Sequence, residues 1–270
     1  IRWLSTDERF RMDPQQLAAA VAKDRDAGNQ PFCVCASAGT VATGAIDPLE
    51  SLADYCQKES LWLHVDGAYG AIGMLDETMR PRYRGLERAN SVALDPHKWL
   101  SVPVECGCVL VRDGACLRDA FSLVPPYLRT EPGKGIGGLP WYSEYGFQQS
   151  RGFRALKLWI TLQHAGKEGL SAMIRTHNSL ARRLEDLIRE TPDLELAAEG
   201  DLSIVCFRFH PRNWTGSPEQ LDELNKRIME TLQAEGSVFV TNTVLRSRFA
   251  LRACILHYAT READLAALVA

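Results

Sequence analysis

Hydrophobic residues in the first hundred positions form short runs separated by segments that carry helix signals. The three runs are Pro31–Ala36, Leu61–Asp66 and Ser91–Asp95. Asp13-Pro14 opens a helical segment before the first run and Asp47-Pro48 opens one between the first and second runs. Proline is favoured at the first position of a helix. A repeat of about 30 residues is the length of a right-handed βαβ unit. The pattern therefore predicts three parallel strands in one buried sheet.

The pattern changes after Lys98. The next apolar run, Gly107–Arg112, follows too closely for a helical crossover, so we expect an antiparallel strand. Helical periodicity covers Phe153–His164 and Glu168–Glu190. Beyond these, the strand-like segments are Leu194–Glu199, Ser203–Phe209, Val238–Thr241 and Phe249–Ile255, and the helical segments are Pro218–Ala234 and Arg261–Ala270. We expect an α/β large domain (residues 1–165) with a mostly parallel sheet and a smaller C-terminal α+β domain (166–270).

Composition narrows the class of protein. The chain has 270 residues, of which 46% are hydrophobic and 24% charged, and a net charge of -3. With no basic cluster, no apolar run of about 20 residues and no signal peptide, we expect a cytoplasmic protein that binds a small molecule, not nucleic acid or membrane. The eight cysteines lie mostly in strand-like runs, which favours reduced thiols over disulfides or a metal site. Because the chain starts at Ile1 and stops within a helical pattern, we expect a fragment.

Polar residues follow each of the three predicted parallel strands. The segments are Ser37–Thr40, Asp66–Ala68 and Asp95–Lys98. Carboxyl ends of parallel strands meet at one edge of a sheet, where open α/β sheets bind ligands. We therefore expect a pocket that contains an amine, a carboxylate and a hydroxyl.

Two residues of this edge have both ordinary and catalytic interpretations. Lys98 is either a surface lysine or an amine that forms a Schiff base. Asp66 ends a buried strand and needs donors, which a helix cap over Gly67–Gly70 or a protonated pyridine nitrogen would supply. At about 2.8 Å and an effective dielectric near 20, a carboxylate attracts such a nitrogen by about 6 kcal/mol before desolvation. That attraction is enough to keep the ring protonated, which is the form that accepts electrons.

Three motifs carry a resemblance to a known family. They are Leu-His-Val-Asp-Gly-Ala-Tyr-Gly (63–70), Asp-Pro-His-Lys-Trp-Leu (95–100) and Ser-Arg-Gly-Phe-Arg-Ala-Leu-Lys-Leu-Trp (150–159). With them the chain resembles the group II pyridoxal-phosphate decarboxylases, which act on aromatic amino acids, glutamate or histidine. The resemblance implies a fold type I homodimer with pyridoxal 5'-phosphate on Lys98 and Asp66 at the ring nitrogen. It also implies that Ala68 lies against the ring and that His97 lies near the phosphate and the Schiff base.

The same resemblance implies roles for three further residues. Thr40 would lie near the cofactor, although many relatives have a second threonine where this chain has Val41. Asp95 stands where some relatives have asparagine near the phosphate, and its charge would repel a phosphate unless it turns to His97 or to backbone amides. Tyr127 matches a loop tyrosine that protonates the substrate α-carbon, and its alternative is an interface aromatic residue.

The resemblance implies decarboxylation of an L-amino acid, aromatic in type, to an amine and carbon dioxide. Relatives with phenylalanine at the position of Tyr127 resemble aldehyde synthases, so a synthase or another fold type I enzyme is the alternative. An inactive fragment that only dimerises is the other alternative. The glycine-rich segment 128–146 is typical of a mobile loop, which we expect to act across the dimer interface.

The histidines outside the motifs show no pattern of partners. His64 is interpreted as a core histidine, and we assign no role to His164, His177, His210 and His257. The residues that choose the substrate side chain, and the upstream phosphate-binding segment of the family, do not occur in the sequence.

Overall fold

The computed structural model describes residues 1–125, 140–236 and 238–270. Its helices are α1 Pro14–Asp26, α2 Leu49–Lys58, α3 Ala115–Phe121, α4 Arg154–Glu190, α5 Pro218–Glu235 and α6 Glu262–Val269. Its strands are β1 Cys33–Ser37, β2 Trp62–Asp66, β3 Ser91–Leu94, β4 Cys108–Val111, β5 Leu194–Ala198, β6 Ile204–Phe209, β7 Thr241–Leu245 and β8 Arg248–Cys254. Among the helices of these ranges, none is long and apolar enough to cross a membrane.

The first sheet has the order β1-β2-β3-β4. Strands β1, β2 and β3 are parallel, and β4 pairs with β3 in the antiparallel direction. Both features of this topology confirm the prediction from spacing. The connection from β2 to β3 is built from three short 3₁₀ segments, Ala71–Leu75, Arg80–Tyr83 and Leu86–Arg88, instead of an α-helix.

The predicted burial of this sheet is found on one of its faces in the described chain. Leu63 and Val65 of β2 point into a core formed with α1 and α2 and are at most 1% exposed. Alternate residues point the other way, so His64 is half-buried and Asp66 is exposed. Cys35 of β1 lies on the same open face and is exposed as well. Only one face of the first sheet therefore belongs to the core.

The start of α2 also differs from the simple capping pattern. The helix begins at Leu49 with Pro48 in the cap position. The Asp47 carboxylate instead accepts hydrogen bonds from the backbone N–H groups of Met12, at 2.6 Å, and Ser37, at 2.7 Å. Asp47 thus fixes the carboxyl end of β1, and its burial raises the pKa of its carboxyl group.

The second sheet is antiparallel, in the order β5-β6-β8-β7. The predicted strand Val238–Thr241 is wrong, because β7 begins at Thr241 and continues to Leu245. A two-residue turn follows, in which Arg246 and Ser247 have φ values of 49° and 64°. Two consecutive left-handed residues give the turn that matches strand twist in a hairpin, but glycine or asparagine normally signals it.

Helix α4 connects the two halves of the chain. Gly166 interrupts it with φ 64° and ψ 171°, which agrees with the two helices predicted on either side of this position. Beyond Gly166, Ile174 contributes to a core that also contains Leu63, Trp99 and Leu202. The first sheet and the loop before β6 therefore share one core, and the division at residue 165 stays a prediction.

Candidate active site

The ends of the parallel strands meet as predicted. Ser37 of β1 is in register with Asp66 of β2, and Asp66 is in register with Ala93 of β3. The three predicted polar segments therefore leave the sheet at the same edge, side by side.

Backbone hydrogen bonds extend this alignment past the ends of the strands. Gly67 donates its N–H to the carbonyl of Ala93 at 3.1 Å, and Asp95 donates to the carbonyl of Ala68 at 3.1 Å. These two bonds join the segment that contains Asp66 to the segment that contains Lys98. The carboxylate and the amine are thus carried by neighbouring loops with a fixed backbone register.

Asp66 is exposed, and one of its oxygens caps its own turn. Oδ1 accepts the N–H of Ala68 at 3.0 Å, which is the capping role considered for this residue. Within the described ranges this hydrogen bond uses Oδ1 and leaves Oδ2 without a hydrogen bond. Asp66 can therefore keep its cap and still bind a cation.

Lys98 is paired with the acidic residue of its own turn. Its Nζ lies 2.8 Å from Oδ2 of Asp95, and the Lys98 N–H donates to the Asp95 carbonyl at 2.8 Å. The lysine side chain is 40% exposed. The amine is therefore accessible from the edge, and the Asp95 carboxylate turns to Lys98 instead of His97.

His97 and Thr40 are held by local hydrogen bonds. Nδ1 of His97 lies 2.8 Å from the carbonyl oxygen and 3.1 Å from the amide nitrogen of Cys106. Oγ1 of Thr40 lies 3.0 Å from Oγ1 of Thr43 and accepts the N–H of Ala45 at 3.2 Å. Local structure alone accounts for both contacts, and the roles of His97 and Thr40 toward a cofactor stay predictions.

Ala68 lies within the described residues and Tyr127 does not. Ala68 is half-buried at the edge, one residue from the glycine that follows Asp66. Tyr127 lies outside the described residues, as does most of the segment 128–146. The role of each stays a prediction.

Close packing of the loops fixes their separation. A Cβ added at Gly70 would lie 2.7 Å from Cα of Gly39 and 2.6 Å from a methyl group of Leu202. Side chains do not make such contacts without a shift of the backbone. The glycine at position 70 therefore lets the loops after β1 and β2 approach each other directly beneath the edge.

An aromatic pair that the sequence did not single out lies below the two loops. Trp99, which follows Lys98, stacks on Tyr69, with ring centroids 5.0 Å apart and planes inclined by 10°. The Trp99 indole donates to Nδ1 of His177 at 2.9 Å. The sequence shows no partner for His177, because Trp99 is 78 positions away and no sequence pattern bridges that separation.

Two cavities lie away from this edge. One, of about 510 Å³, is lined by Cys56, Trp62 and Arg112 at the opposite end of the strands. The other, of about 310 Å³, lies among charged residues that include Arg9 and Glu185. Neither contains Lys98 or Asp66. The arrangement that can do chemistry is the open edge. There the loop of Lys98, which has an amine able to condense with a carbonyl group, is hydrogen-bonded to the loop of Asp66, which has a carboxylate able to hold a cation.

Known proteins resemble this chain over most of its length. Residues 1–210 match the family model of the pyridoxal-dependent decarboxylase conserved domain. An aromatic-L-amino-acid decarboxylase of Bacillus atrophaeus is 34% identical over 262 residues, which cover 97% of this chain and 54% of that protein. A phenylacetaldehyde synthase of a Rosa hybrid cultivar is 33% identical and covers 94% of this chain, with 51% of its own length matched.

A solved structure gives the same result. The crystal structure of Oryza sativa TDC with PLP and tryptamine superimposes with a TM-score of 0.91 and 31% identity, over 99% of this chain and 55% of that one. The chain thus spans about half the length of the relatives that it matches. The α/β fold with a mostly parallel first sheet is that of this structure, as the motifs implied.

Proposed function

Because the chain belongs to the pyridoxal-dependent decarboxylase family, we propose that it converts an L-amino acid to the corresponding amine and carbon dioxide with pyridoxal phosphate held on Lys98. One observation carries the proposal. The loops of Lys98 and Asp66 leave neighbouring strands at the same edge and are joined by the hydrogen bonds Gly67 to Ala93 and Asp95 to Ala68.

The donor set at the edge fits this cofactor. Pyridoxal phosphate supplies an aldehyde that condenses with amines and a protonated ring that takes up the electron pair left when carbon dioxide departs. Lys98 offers an exposed amine, and Asp66 offers an oxygen that is not used by its cap. A cofactor that bridges the two loops would contact both the Lys98 amine and this Asp66 oxygen.

Each residue then has a stated task. Lys98 would hold the cofactor through its amine, which is paired with Asp95 in the structure, and Asp66 would hold a proton on the ring nitrogen by its charge. Ala68 would present a small side chain to the ring. We further propose that His97, Thr40 and Asp95 contribute to cofactor binding. Within the described residues His97 contacts Cys106 through Nδ1, which leaves its Nε2 for the cofactor.

Protonation of the substrate α-carbon requires a donor. We assign the role of proton donor to Tyr127, since a phenol carried on a loop can supply a proton and exclude water when the loop closes. A synthase that releases aldehyde is the second candidate, which the similarity to phenylacetaldehyde synthase favours. Tyr127→Phe should therefore lower amine formation and raise oxygen-dependent release of aldehyde, ammonia and hydrogen peroxide.

We propose an aromatic L-amino acid as the substrate class, because the aromatic-L-amino-acid decarboxylase and the TDC solved with tryptamine support it. The assay is carbon dioxide release from tryptophan, tyrosine, phenylalanine, glutamate and histidine in turn. We expect release from at least one aromatic substrate and none from glutamate. Lys98→Ala should abolish release, and equal release by this variant would contradict the proposal.

We also propose that the protein is a cytoplasmic homodimer, in which the segment 128–146 acts across the interface. A hydrophobic surface at the start of α4 supports the dimer, because Phe153, Trp159 and Ile160 are more than half exposed there. All eight cysteines lie in the described ranges and are free thiols, which is typical of a reducing compartment. Light scattering should give twice the chain mass, and Trp159→Arg, but not Arg227→Glu on α5, should halve it.

A further inference from the structure

The residue next to Lys98 is anchored more firmly than Lys98 itself. Trp99 is 0% exposed, and its indole N–H finds its acceptor in Nδ1 of His177 on α4, which is 1% exposed. Consecutive Cα atoms are about 3.8 Å apart, so a displacement of Trp99 moves the Lys98 backbone with it. The contact therefore reaches from the long helix to the proposed reactive amine.

The same anchor reaches the loop of Asp66. Trp99 stacks on Tyr69, which lies three positions after Asp66. The Tyr69 hydroxyl lies 2.8 Å from Oγ of Ser203, just before β6. One stacked pair thus connects the two loops, and each ring is tied to the second half of the chain by a hydrogen bond.

Histidine suits this position for a chemical reason. An indole N–H can only donate, so Nδ1 of His177 must be unprotonated and the neutral ring carries its proton on Nε2. Burial lowers the pKa of His177, and this outweighs the opposite effect of a hydrogen bond to the backbone of His257. The ring is therefore a fixed acceptor at neutral pH, and loss of this acceptor would leave a buried N–H unpaired.

We infer that His177 is a positioning residue, which through Trp99 holds the Lys98 amine at its distance from Asp66. The inference rests on the proposed function. His177 touches neither the substrate nor the cofactor in this account. Its effect is geometric, because a misplacement of about 1 Å at a reacting group can lower a rate by about 100-fold.

The test compares variants of His177 with a matched control on the same helix. His177→Leu removes the acceptor, whereas His177→Asn keeps one, because Oδ1 of asparagine occupies the place of Nδ1. Leu184→Ala removes a fully buried side chain two turns further along α4 and leaves Trp99 untouched. Trp99→Phe removes the same hydrogen bond from the other side and serves if His177→Leu does not fold.

Two readouts separate positioning from stability. In the protein without cofactor, hydrogen exchange of the Trp99 indole N–H, identified by its loss in Trp99→Phe, should be at least 10-fold faster in His177→Leu. In the loaded protein, kcat should fall 10- to 100-fold with KM within about twofold. His177→Asn should recover most of both values. Leu184→Ala should lower the melting temperature and leave both values within about twofold.

Failure of this inference and failure of the proposed function give different results. If folded His177→Leu retains wild-type kcat and cofactor affinity, or if Leu184→Ala lowers kcat equally, the inference is overturned. If the wild-type protein forms no adduct with pyridoxal phosphate, the proposed function fails. In that case the indole exchange rate still decides whether His177 holds Trp99.

Discussion

The Lys98 amine lies 2.8 Å from the Asp95 carboxylate, three positions earlier in the same turn. The pair is partly exposed, with side-chain exposures of 40% and 26%, and pairs of this kind contribute at most about 1 kcal/mol. Asp95 therefore holds the amine in a defined place without trapping it. In the proposed function, the cofactor aldehyde would have to compete with this ion pair for Lys98.

Substitution of Asp95 by asparagine should speed the capture of cofactor. Loss of an interaction worth up to about 1 kcal/mol predicts an association rate with pyridoxal phosphate up to about fivefold higher. Stopped-flow absorbance measures this rate, and Asp113→Asn, in the turn before α3, is the control. An unchanged association rate would show that the pair does not limit access to Lys98.

Asp66 should matter for the chemistry and little for the fold. Asparagine can still accept the Ala68 N–H through Oδ1, but it lacks the charge that holds a ring proton. We expect Asp66→Asn to lower kcat at least 100-fold, which corresponds to about 3 kcal/mol, with a melting temperature within a few degrees of wild type. Steady-state kinetics and calorimetry test both points. Asp54→Asn, on the exposed side of α2, should change neither, and an active Asp66→Asn protein would argue against the assigned role.

The glycine at position 70 should be sensitive to a single methyl group. Its φ of -102° suits alanine, so the cost comes from the approach to Gly39 and Leu202 and not from the backbone angle. Gly70→Ala should destabilise the protein by about 1–3 kcal/mol. In Gly114→Ala the added methyl group meets nothing within 4 Å, so stability should stay within about 0.5 kcal/mol. Urea unfolding compares the two, and equal stabilities would contradict the close packing described.

Acidification should weaken the anchor of Trp99. Because the pKa of His177 is lowered from 6.5 in the folded state, the unfolded chain takes up a proton first as the pH falls. Stability is then full above about pH 7 and falls as the pH drops through 6.5, where the histidine of the unfolded chain takes up its proton. Burial pushes the pKa of Asp76 upward, but hydrogen bonds from Asn178 and Thr78 outweigh it and lower the pKa, so its own contribution is lost only below about pH 4.

Urea unfolding at pH 7.5 and pH 5.5 measures the contribution of His177. In His177→Asn the loss between these two pH values should be smaller than in the wild type, because asparagine does not titrate. An identical loss in the variant and the wild type would assign the pH dependence to other groups.

Much of the first sheet could be predicted, because spacing and strand ends determine its topology. Each parallel crossover needs a connection of about a dozen residues or more, and the short distance from Lys98 to β4 forbids one. The same reasoning places the segments of Asp66 and Lys98 at a common edge, and the register of β2 and β3 brings the ends of these two strands together.

The rest depends on contacts that no local pattern reveals. The hairpin turn at Arg246 and Ser247 lacks the usual glycine or asparagine, so the sequence does not signal that β7 continues from Thr241 to Leu245. The pairing of Trp99 with His177 forms only when α4 packs against the first half of the chain. The pairing of Asp95 with Lys98 was missed for another reason, since a choice among several nearby donors is decided by side-chain geometry.

Borohydride reduction after addition of pyridoxal phosphate, followed by peptide mapping, measures where the cofactor is held. The account predicts a single pyridoxyl group on the peptide that contains Lys98. It also predicts no label in Lys98→Ala and normal labelling in the Lys157→Ala control. A label that stays undiminished in Lys98→Ala, or that falls on another lysine of the wild-type protein, would contradict the assignment of Lys98.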